Sequence, residues 1–344
     1  MKTGLIYSPI YLEHDTGSHP ENAKRLEAVM AYLKKMGVLN RIGVFPPRKA
    51  TVDEVALVHT KEYITSIENK AINGGGWLDM DTFLSPASFD VAMYAVGGVL
   101  TGIEKVMAGE LSSAFALVRP PGHHAGISKA SGFCIFNNVA VAARYALKEY
   151  KLQRVMIVDF DVHHGNGTSD IFYSDPAVLY FSTHQYPFYP GTGSISETGS
   201  GEATGNTVNI PLPAMSGDSI YNRVFEEILV PIGRRFRPQL ILVSAGYDGH
   251  REDYLATMRL TVDGFVRMTA TIKQLAGELC GDRMVFALEG GYATESLSEC
   301  IKATLETMNG EVNIGELQVS KETDKEDADS VSIIQNARRL HGLA

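Results

Sequence analysis

The chain predicts an α/β fold, a mainly parallel β-sheet with helices on both faces, and three observations carry that expectation. Short apolar runs rich in Val, Ile and Leu alternate with amphipathic or Ala-rich stretches of helical length, the pattern of strand–helix–strand units. The runs are apolar throughout rather than every second residue, as strands covered on both faces must be. Several of them end in polar residues flanked by glycine, and open parallel sheets bind ligands beyond those carboxyl ends. A length of 344 residues with 44% hydrophobic residues supplies ample material for such a core. No repeat of fixed period interrupts it.

Taken in order, Leu5-Ile-Tyr7 opens the chain as a strand, and Glu13 to Glu21 is a polar loop containing His14 and His19. A helix from about Asn22 to Lys35 places Leu26, Val29, Met30 and Leu33 on one face. Thr51-Val-Asp-Glu54 has the form of a capping box, and a further helix begins near Lys61. Asn73 to Trp77 reads as a flexible turn and Asp79 to Pro86 as irregular chain. Phe89 to Met107 reads as a buried helix in which Gly97 and Gly98 permit close packing. Strands follow at Ala114–Val118, Val155–Val158, Ala177–Phe181, Leu240–Val243 and Met284–Leu288. Helices are expected at 137–150, from about Asp170, at 218–235, at 261–279 and after Ser296. The segment 185–213, rich in Gly, Ser, Thr and Pro, reads as a long surface loop. These elements make one catalytic domain over residues 1–309. Residues 310–344 read as a polar linker followed by a short amphipathic helix, docked on the body or on another subunit of a homo-oligomer.

The formal net charge of −9 gives no electrostatic reason to bind nucleic acid or an anionic membrane. It leaves room for a basic peptide as substrate. Cys134, Cys280 and Cys300 form no C-x-x-C pair, which suits a reducing cytoplasm rather than a disulfide framework. There is no long apolar leader and no apolar run of bilayer length, so a cytoplasmic location is expected.

The chemistry concentrates in Val155-Met-Ile-Val-Asp-Phe-Asp-Val-His-His-Gly-Asn-Gly-Thr168. In an extended chain alternate residues share a face, so Asp159, Asp161 and His163 project to one side. Two carboxylates and an imidazole at the end of a buried strand are costly unless hydrogen-bonded in a core cluster or holding a metal. Other strand ends bring His123-His124, His184, Asp248 and Tyr292 towards the same edge. Asp161, His163 and Asp248 are the expected metal ligands, because three protein ligands leave a position for water and substrate, as catalytic zinc requires. Iron(II), manganese and cobalt suit the same donors. Asp159 can instead orient a neighbouring histidine. His123 and His124 suit general acid and base work, and Tyr292, on a Gly-Gly turn, either packs or donates to an oxyanion. No G-x-S-x-G elbow, G-x-G-x-x-G or P-loop is present, which leaves serine-hydrolase, dinucleotide and P-loop roles unsupported. Cys134 reads as a small buried residue rather than a nucleophile.

Five motifs together resemble the zinc-dependent histone deacetylase superfamily, which includes acetylpolyamine amidohydrolases. They are Arg119-Pro-Pro-Gly-His-His-Ala125, Gly132-Phe-Cys-Ile-Phe-Asn-Asn138, Asp159-Phe-Asp-Val-His-His-Gly-Asn-Gly167, Ser244-Ala-Gly-Tyr-Asp248 and Leu288-Glu-Gly-Gly-Tyr292. Asn166 and the Leu-Glu-Gly-Gly-Tyr run look like its class II branch. The resemblance implies a single-domain arginase-like fold. It also implies removal of acetyl or other acyl groups from the ε-amino group of lysine in peptides or proteins. By the same resemblance zinc sits on Asp161, His163 and Asp248, His124 is general base and acid, and His123 is its electrostatic companion. Asp159 supports His123, Asn166 supports His124, and Tyr292 polarises the substrate carbonyl. Gly132, Phe133 and Tyr189 match the substrate channel. Asp159, Asp161, His163, Ser182 and Thr183 match a structural potassium site. Leu255 stands where some relatives carry the acidic residue that selects acetylated polyamines, which favours acyl-lysine. An acetylpolyamine amidohydrolase acting on acetylated small amines is the alternative. A non-catalytic acyl-lysine binding protein is the alternative of another class.

Overall fold

The computed structural model describes residues 2–312 and 328–343. Eight strands form one parallel sheet: β1 (Thr3–Ile6), β2 (Gly43–Phe45), β5 (Ser113–Ala116), β6 (Val155–Asp159), β7 (Val178–Gln185), β8 (Thr207–Leu212), β9 (Leu240–Ala245) and β10 (Met284–Leu288). They lie in the order β2-β1-β5-β10-β9-β6-β7-β8. A separate antiparallel hairpin joins β3 (Gly76–Trp77) to β4 (Phe83–Leu84). Every sheet strand except β2 is buried along its whole length, which is why their sequences are apolar without alternation.

Two groups of helices cover the sheet. One contains α2 (Val52–Val55), α3 (Lys61–Ile72), α4 (Ser88–Met107) and α5 (Asn138–Glu149), with α4 against β1, β5 and β10 and α5 against β6 and β9. The short α6 (Asn166–Phe172) packs beside α5 and β7. The other group contains α1 (Lys24–Lys35), α7 (Asp218–Val224), α8 (Val230–Phe236), α9 (Val262–Cys280) and α10 (Thr294–Asn309), with α9 on β9 and α10 on β1. Helix α11 (Ala328–Leu340) lies against β8 with Ile334 and Ala337 buried, so it covers an edge that would otherwise expose unpaired backbone groups. No helix of the described residues is long and apolar enough to cross a membrane. The expected polar linker falls largely on 313–327, outside the described residues.

The structure departs from expectation where sequence cues conflict. Thr207–Leu212, expected to be surface loop, is the fully buried edge strand β8; Pro211 pairs with His184 there, a proline that an edge strand tolerates because it needs donors on one side only. Ser182, Thr183 and His184 lie inside β7 rather than after it. The expected single helix over 218–235 contains a π-turn, Phe225–Leu229, just before Pro231. A proline ring cannot fit the regular i−4 geometry, and widening the turn accommodates it. The capping box at Thr51 is present, with Glu54 reaching back to the Thr51 backbone.

This order places β5, β10, β9 and β6 side by side at the centre of the sheet. The residues following their carboxyl ends therefore meet, although their positions span 119 to 292 in sequence. Gly97 illustrates how tightly the helix layer is seated: a Cβ there would lie 1.9 Å from the Arg48 carbonyl oxygen. Gly97→Ala is expected to lower stability by about 1–3 kcal/mol through overpacking, read as a lower denaturant midpoint at an unchanged slope; an unchanged midpoint would contradict the close contact.

Candidate active site

Asp161 and His163 follow β6, and Asp248 follows β9. One ligand atom from each lies within 4.8 Å of the others. Asp161 Oδ2 accepts from Gly290 N at 2.8 Å, Asp161 Oδ1 from His163 N at 2.9 Å, and Asp248 Oδ1 from Val162 N at 3.1 Å. His163 Nδ1 stands 3.1 Å from Asp161 Oδ1 and 3.2 Å from Asp248 Oδ2. The second approach lacks hydrogen-bond geometry, so Asp248 Oδ2 is buried without a hydrogen bond. Glycine is required beside these oxygens: a Cβ at Gly290 would sit 2.1 Å from Asp248 Oδ2. An orphaned carboxylate oxygen facing a second carboxylate and an imidazole is a donor set that fits a divalent cation.

The electrostatics agree. Burial opposes ionisation of Asp161, but His123 and His163 outweigh it and hold the carboxyl far below its usual range. Burial and the neighbouring Asp161 push Asp248 up to about 6. Burial disfavours the charged form of His163, yet Asp161 and Asp248 overcome it and raise the imidazole to about 10. Without a cation, a proton on His163 supplies the balancing charge.

The tandem histidines follow β5 and are placed asymmetrically. His123 Nδ1 lies 3.1 Å from Asp159 Oδ2, which also accepts from the Tyr180 hydroxyl at 3.0 Å. Its backbone is held by Glu289, whose Oε2 accepts from Gly122 N at 2.6 Å and His123 N at 3.2 Å. His124 Nδ1 donates to Asn166 Oδ1 at 2.8 Å, an assignment that follows because the amide oxygen can only accept. Its Nε2 is then the basic nitrogen. Burial alone would discharge both rings, but Asp161, Asp159 and Glu289 raise His123 to about 10. For His124, burial with the His123 and His163 charges outweighs Asp161 and the Asn166 hydrogen bond and drives it well below the ordinary value. Two rings 4.0 Å apart between centroids are thus shifted in opposite directions, His123 towards the cation and His124 towards the neutral form.

A cavity of about 210 Å³ leads to these groups, lined by Asp81, Pro121, His123, His124, Gly132, Phe133, His163, Phe188, Tyr189, Leu255, Gly290 and Tyr292. Phe133 meets the Tyr292 ring edge-on at 5.9 Å, Phe188 stacks on His163 at 5.5 Å, and Tyr189 meets His124 edge-on at 5.2 Å. The sharp turn at Gly132 and Phe133 has positive φ at both residues, and a Cβ on Gly132 would strike the His124 ring at 2.4 Å. Burial, with Asp248 nearby, raises the Tyr292 hydroxyl well above its usual range, so it remains a proton donor. Asp159 is paired in register with Ser182, and Thr183 follows on the same strand with its hydroxyl oxygen buried and unpartnered.

Most of the residues singled out from sequence therefore gather at one edge of the sheet, whereas His184 is hydrogen-bonded to Ser182 and the Gly193 carbonyl and does not line the cavity. Phe188, Asp81, Glu289, Arg25 and Asp253 were missed. Glu289 lies within a recognised motif, and Arg25 is a charge on the buried stripe of α1, donating to Gly291 O and Glu289 O at 2.6 Å each. Asp81 and Phe188 carried no signal in sequence. His123, Cys134 and Glu289 also have ligand atoms within 4.8 Å of one another; burial raises the Cys134 thiol well above its usual value, and its Sγ already donates to the Gly132 carbonyl.

Comparison with known proteins follows the same lines. A family model described as "Histone deacetylase domain" matches residues 19–308. "Histone deacetylase 10, chloroplastic" of Oryza sativa subsp. japonica is 42% identical over 324 residues, covering 88% of this chain and 72% of that protein. A "Probable deacetylase" of Archaeoglobus fulgidus is 42% identical over 298 residues, covering 86% of this chain and 82% of its own. Among solved structures, the crystal structure of an HDA15 HD domain superposes with a TM-score of 0.89 at 34% identity, covering 99% of this chain and 95% of that one.

Because His163 carries a proton in the cation-free protein, adding a divalent cation at pH 7 is expected to release about one proton per site. Titration in weak buffer with a pH indicator reads this directly. Binding with no proton release would contradict a protonated His163 in the cation-free site.

Proposed function

This chain belongs to the histone deacetylase family, and on that premise we propose that it is a zinc-dependent amidohydrolase removing acetyl or other acyl groups from the ε-amino group of lysine in peptides or proteins. Deacetylase activity is the function of the family at its coarsest. The observation that carries the finer reading is the placement of three convergent donors, Asp161, His163 and Asp248, beside a neutral His124 and the Tyr292 ring at one aromatic-lined cavity.

Asp161, His163 and Asp248 would hold zinc, which would supply Lewis acidity. His124, with Nδ1 committed to Asn166, takes a proton at Nε2 from the attacking water and later passes it to the leaving amine. His123, kept cationic by Asp159 and its other acidic neighbours, stabilises the negative charge that develops beside it. Tyr292 donates its hydroxyl to the oxyanion. Phe133 and Tyr189, with Phe188, flank the aliphatic part of the acyl-lysine, and the Gly132 carbonyl accepts from the substrate amide. Potassium at Asp159, Asp161, His163, Ser182 and Thr183 is part of the same reading, supported by the unpartnered Thr183 hydroxyl oxygen in that buried place.

Leu255 presents an apolar wall to the cavity, which favours acyl-lysine over a polycation. The second reading, an acetylpolyamine amidohydrolase, draws support from the Asp81 carboxylate in the lining, since a carboxylate can meet an ammonium group.

Tyr292→Phe is expected to lower kcat by about a hundredfold or more, as the loss of one oxyanion donor does; undiminished turnover would remove Tyr292 from the chemistry. On protein with measured bound metal, an acetyl-lysine peptide is expected to be turned over faster than acetylspermidine or acetylputrescine. The reverse order selects the polyamine reading, and binding of the peptide without turnover of any substrate selects a binding protein.

A further inference from the structure

The segment that carries Tyr292 has little to hold it locally. Gly290 and Gly291 precede it, Gly291 at φ 119°, and Ala293, at the start of α10, has no side chain able to cap the helix. Two glycines leave the backbone a wide range of conformations. The hydroxyl of a catalytic tyrosine, however, must be held to within a fraction of an ångström. The fixing group comes from elsewhere in the chain.

Asp253, in the loop between Asp248 and α9, is buried. Its Oδ2 accepts from Tyr292 N at 2.6 Å and from Ala293 N at 3.0 Å. Its Oδ1 accepts from Leu255 N at 3.0 Å. Its own backbone N–H donates to His250 O at 2.8 Å, anchoring the carboxylate to the loop. Asp253 is not part of the cavity lining, so it touches no bound substrate. A single carboxylate thus holds the two N–H groups just before α10, pins the backbone of Tyr292 and fixes the residue that forms another wall of the same cavity.

We propose that Asp253 is a positioning residue for catalysis: it sets the Tyr292 hydroxyl at the oxyanion and holds the Leu255 wall at a constant distance from it. The inference rests on the reading of Tyr292 as the oxyanion donor. Charge is part of the design: burial raises the Asp253 carboxyl above its usual range, the three N–H groups that converge on it oppose that shift, and charge-assisted bonds are shorter and stronger than neutral ones. Asp253→Asn keeps the shape but turns an amide N–H₂ towards an N–H that needs an acceptor.

The test compares the full-length, metal-loaded wild type with D253N, Y292F and the double variant D253N/Y292F on one acetyl-lysine peptide. D253N is expected to lower kcat by roughly tenfold to a hundredfold, in the range that a small misplacement of a catalytic group produces, with a smaller change in KM. In the Y292F background the same substitution is expected to change kcat by less than about twofold, because groups that act as a unit are not additive. A loose loop with no link to the tyrosine hydroxyl would instead lower kcat by the same factor in both backgrounds, and that result overturns the proposal. So does an unchanged kcat in D253N. Should D253N melt at the assay temperature, D253E keeps the charge, displaces it by one methylene, and is expected to show the same non-additivity. If Y292F is as active as wild type, the oxyanion reading itself has failed and this proposal falls with it. That outcome is distinct from equal factors in the two backgrounds.

Discussion

Four carboxylates, those of Asp159, Asp161, Asp248 and Glu289, are buried together at the carboxyl edge of the sheet, and the rest of the site is arranged to make that concentration of negative charge tolerable. An unpaired buried ion costs several kcal/mol even after relaxation. His123 and His163 offset part of it. Backbone N–H groups offset more: Gly290 and His163 donate to Asp161, Val162 to Asp248, and Gly122 and His123 to Glu289. The glycines at 246 and 290 are consequences of the same demand, since a Cβ at either would lie about 2 Å from a carboxylate oxygen of Asp161 or Asp248. What remain without a hydrogen bond are Asp248 Oδ2 and Glu289 Oε1, and a cation is the natural occupant beside the first, which faces Asp161 and His163.

A second buried charge network ties this edge to the amino-terminal part of the chain. Glu21 takes two hydrogen bonds from Arg119, one of them a contact from Nε and the other from Nη2 at 2.9 Å, and a third from Arg25 Nη1 at 3.1 Å. Arg25 lies 4.9 Å over the Tyr292 ring and bonds to the carbonyls of Glu289 and Gly291. The tyrosine turn is thus gripped on its carbonyl side by Arg25 and on its N–H side by Asp253. In the loop from Glu13 to Glu21, His14 and Glu21 are buried in this network, whereas Glu13 and Asp15 are exposed.

The elements legible in sequence were those whose signal is local. Helix α5 starts where Asn137 caps it by accepting from Ala140 N, and the buried strand β6 is apolar for every residue until Asp159. Asp161 and His163 were legible as candidate donors from their short spacing at a strand end, although the strand stops at Asp159 and both lie in the bend beyond it. Strand β8 was not, because its Pro211 and its neighbouring turn residues imitate a loop, and only its pairing with β7 reveals it. Asp253 was opaque for a similar reason: its partners, Tyr292 and Ala293, lie 39 and 40 positions away.

From sequence alone came the α/β class, the edge of the sheet that bears chemistry, the donors for a metal and the family resemblance, because each rests on residue type and short spacing. Tertiary structure alone decided that two adjacent histidines are shifted in opposite directions, His123 towards the charged form and His124 towards the neutral one. His123 has three carboxylates near it, while His124 has an amide. It likewise decided how the tyrosine turn is held, because hydrogen bonds between distant segments depend on how the strands are ordered, and nothing in a linear pattern encodes that order.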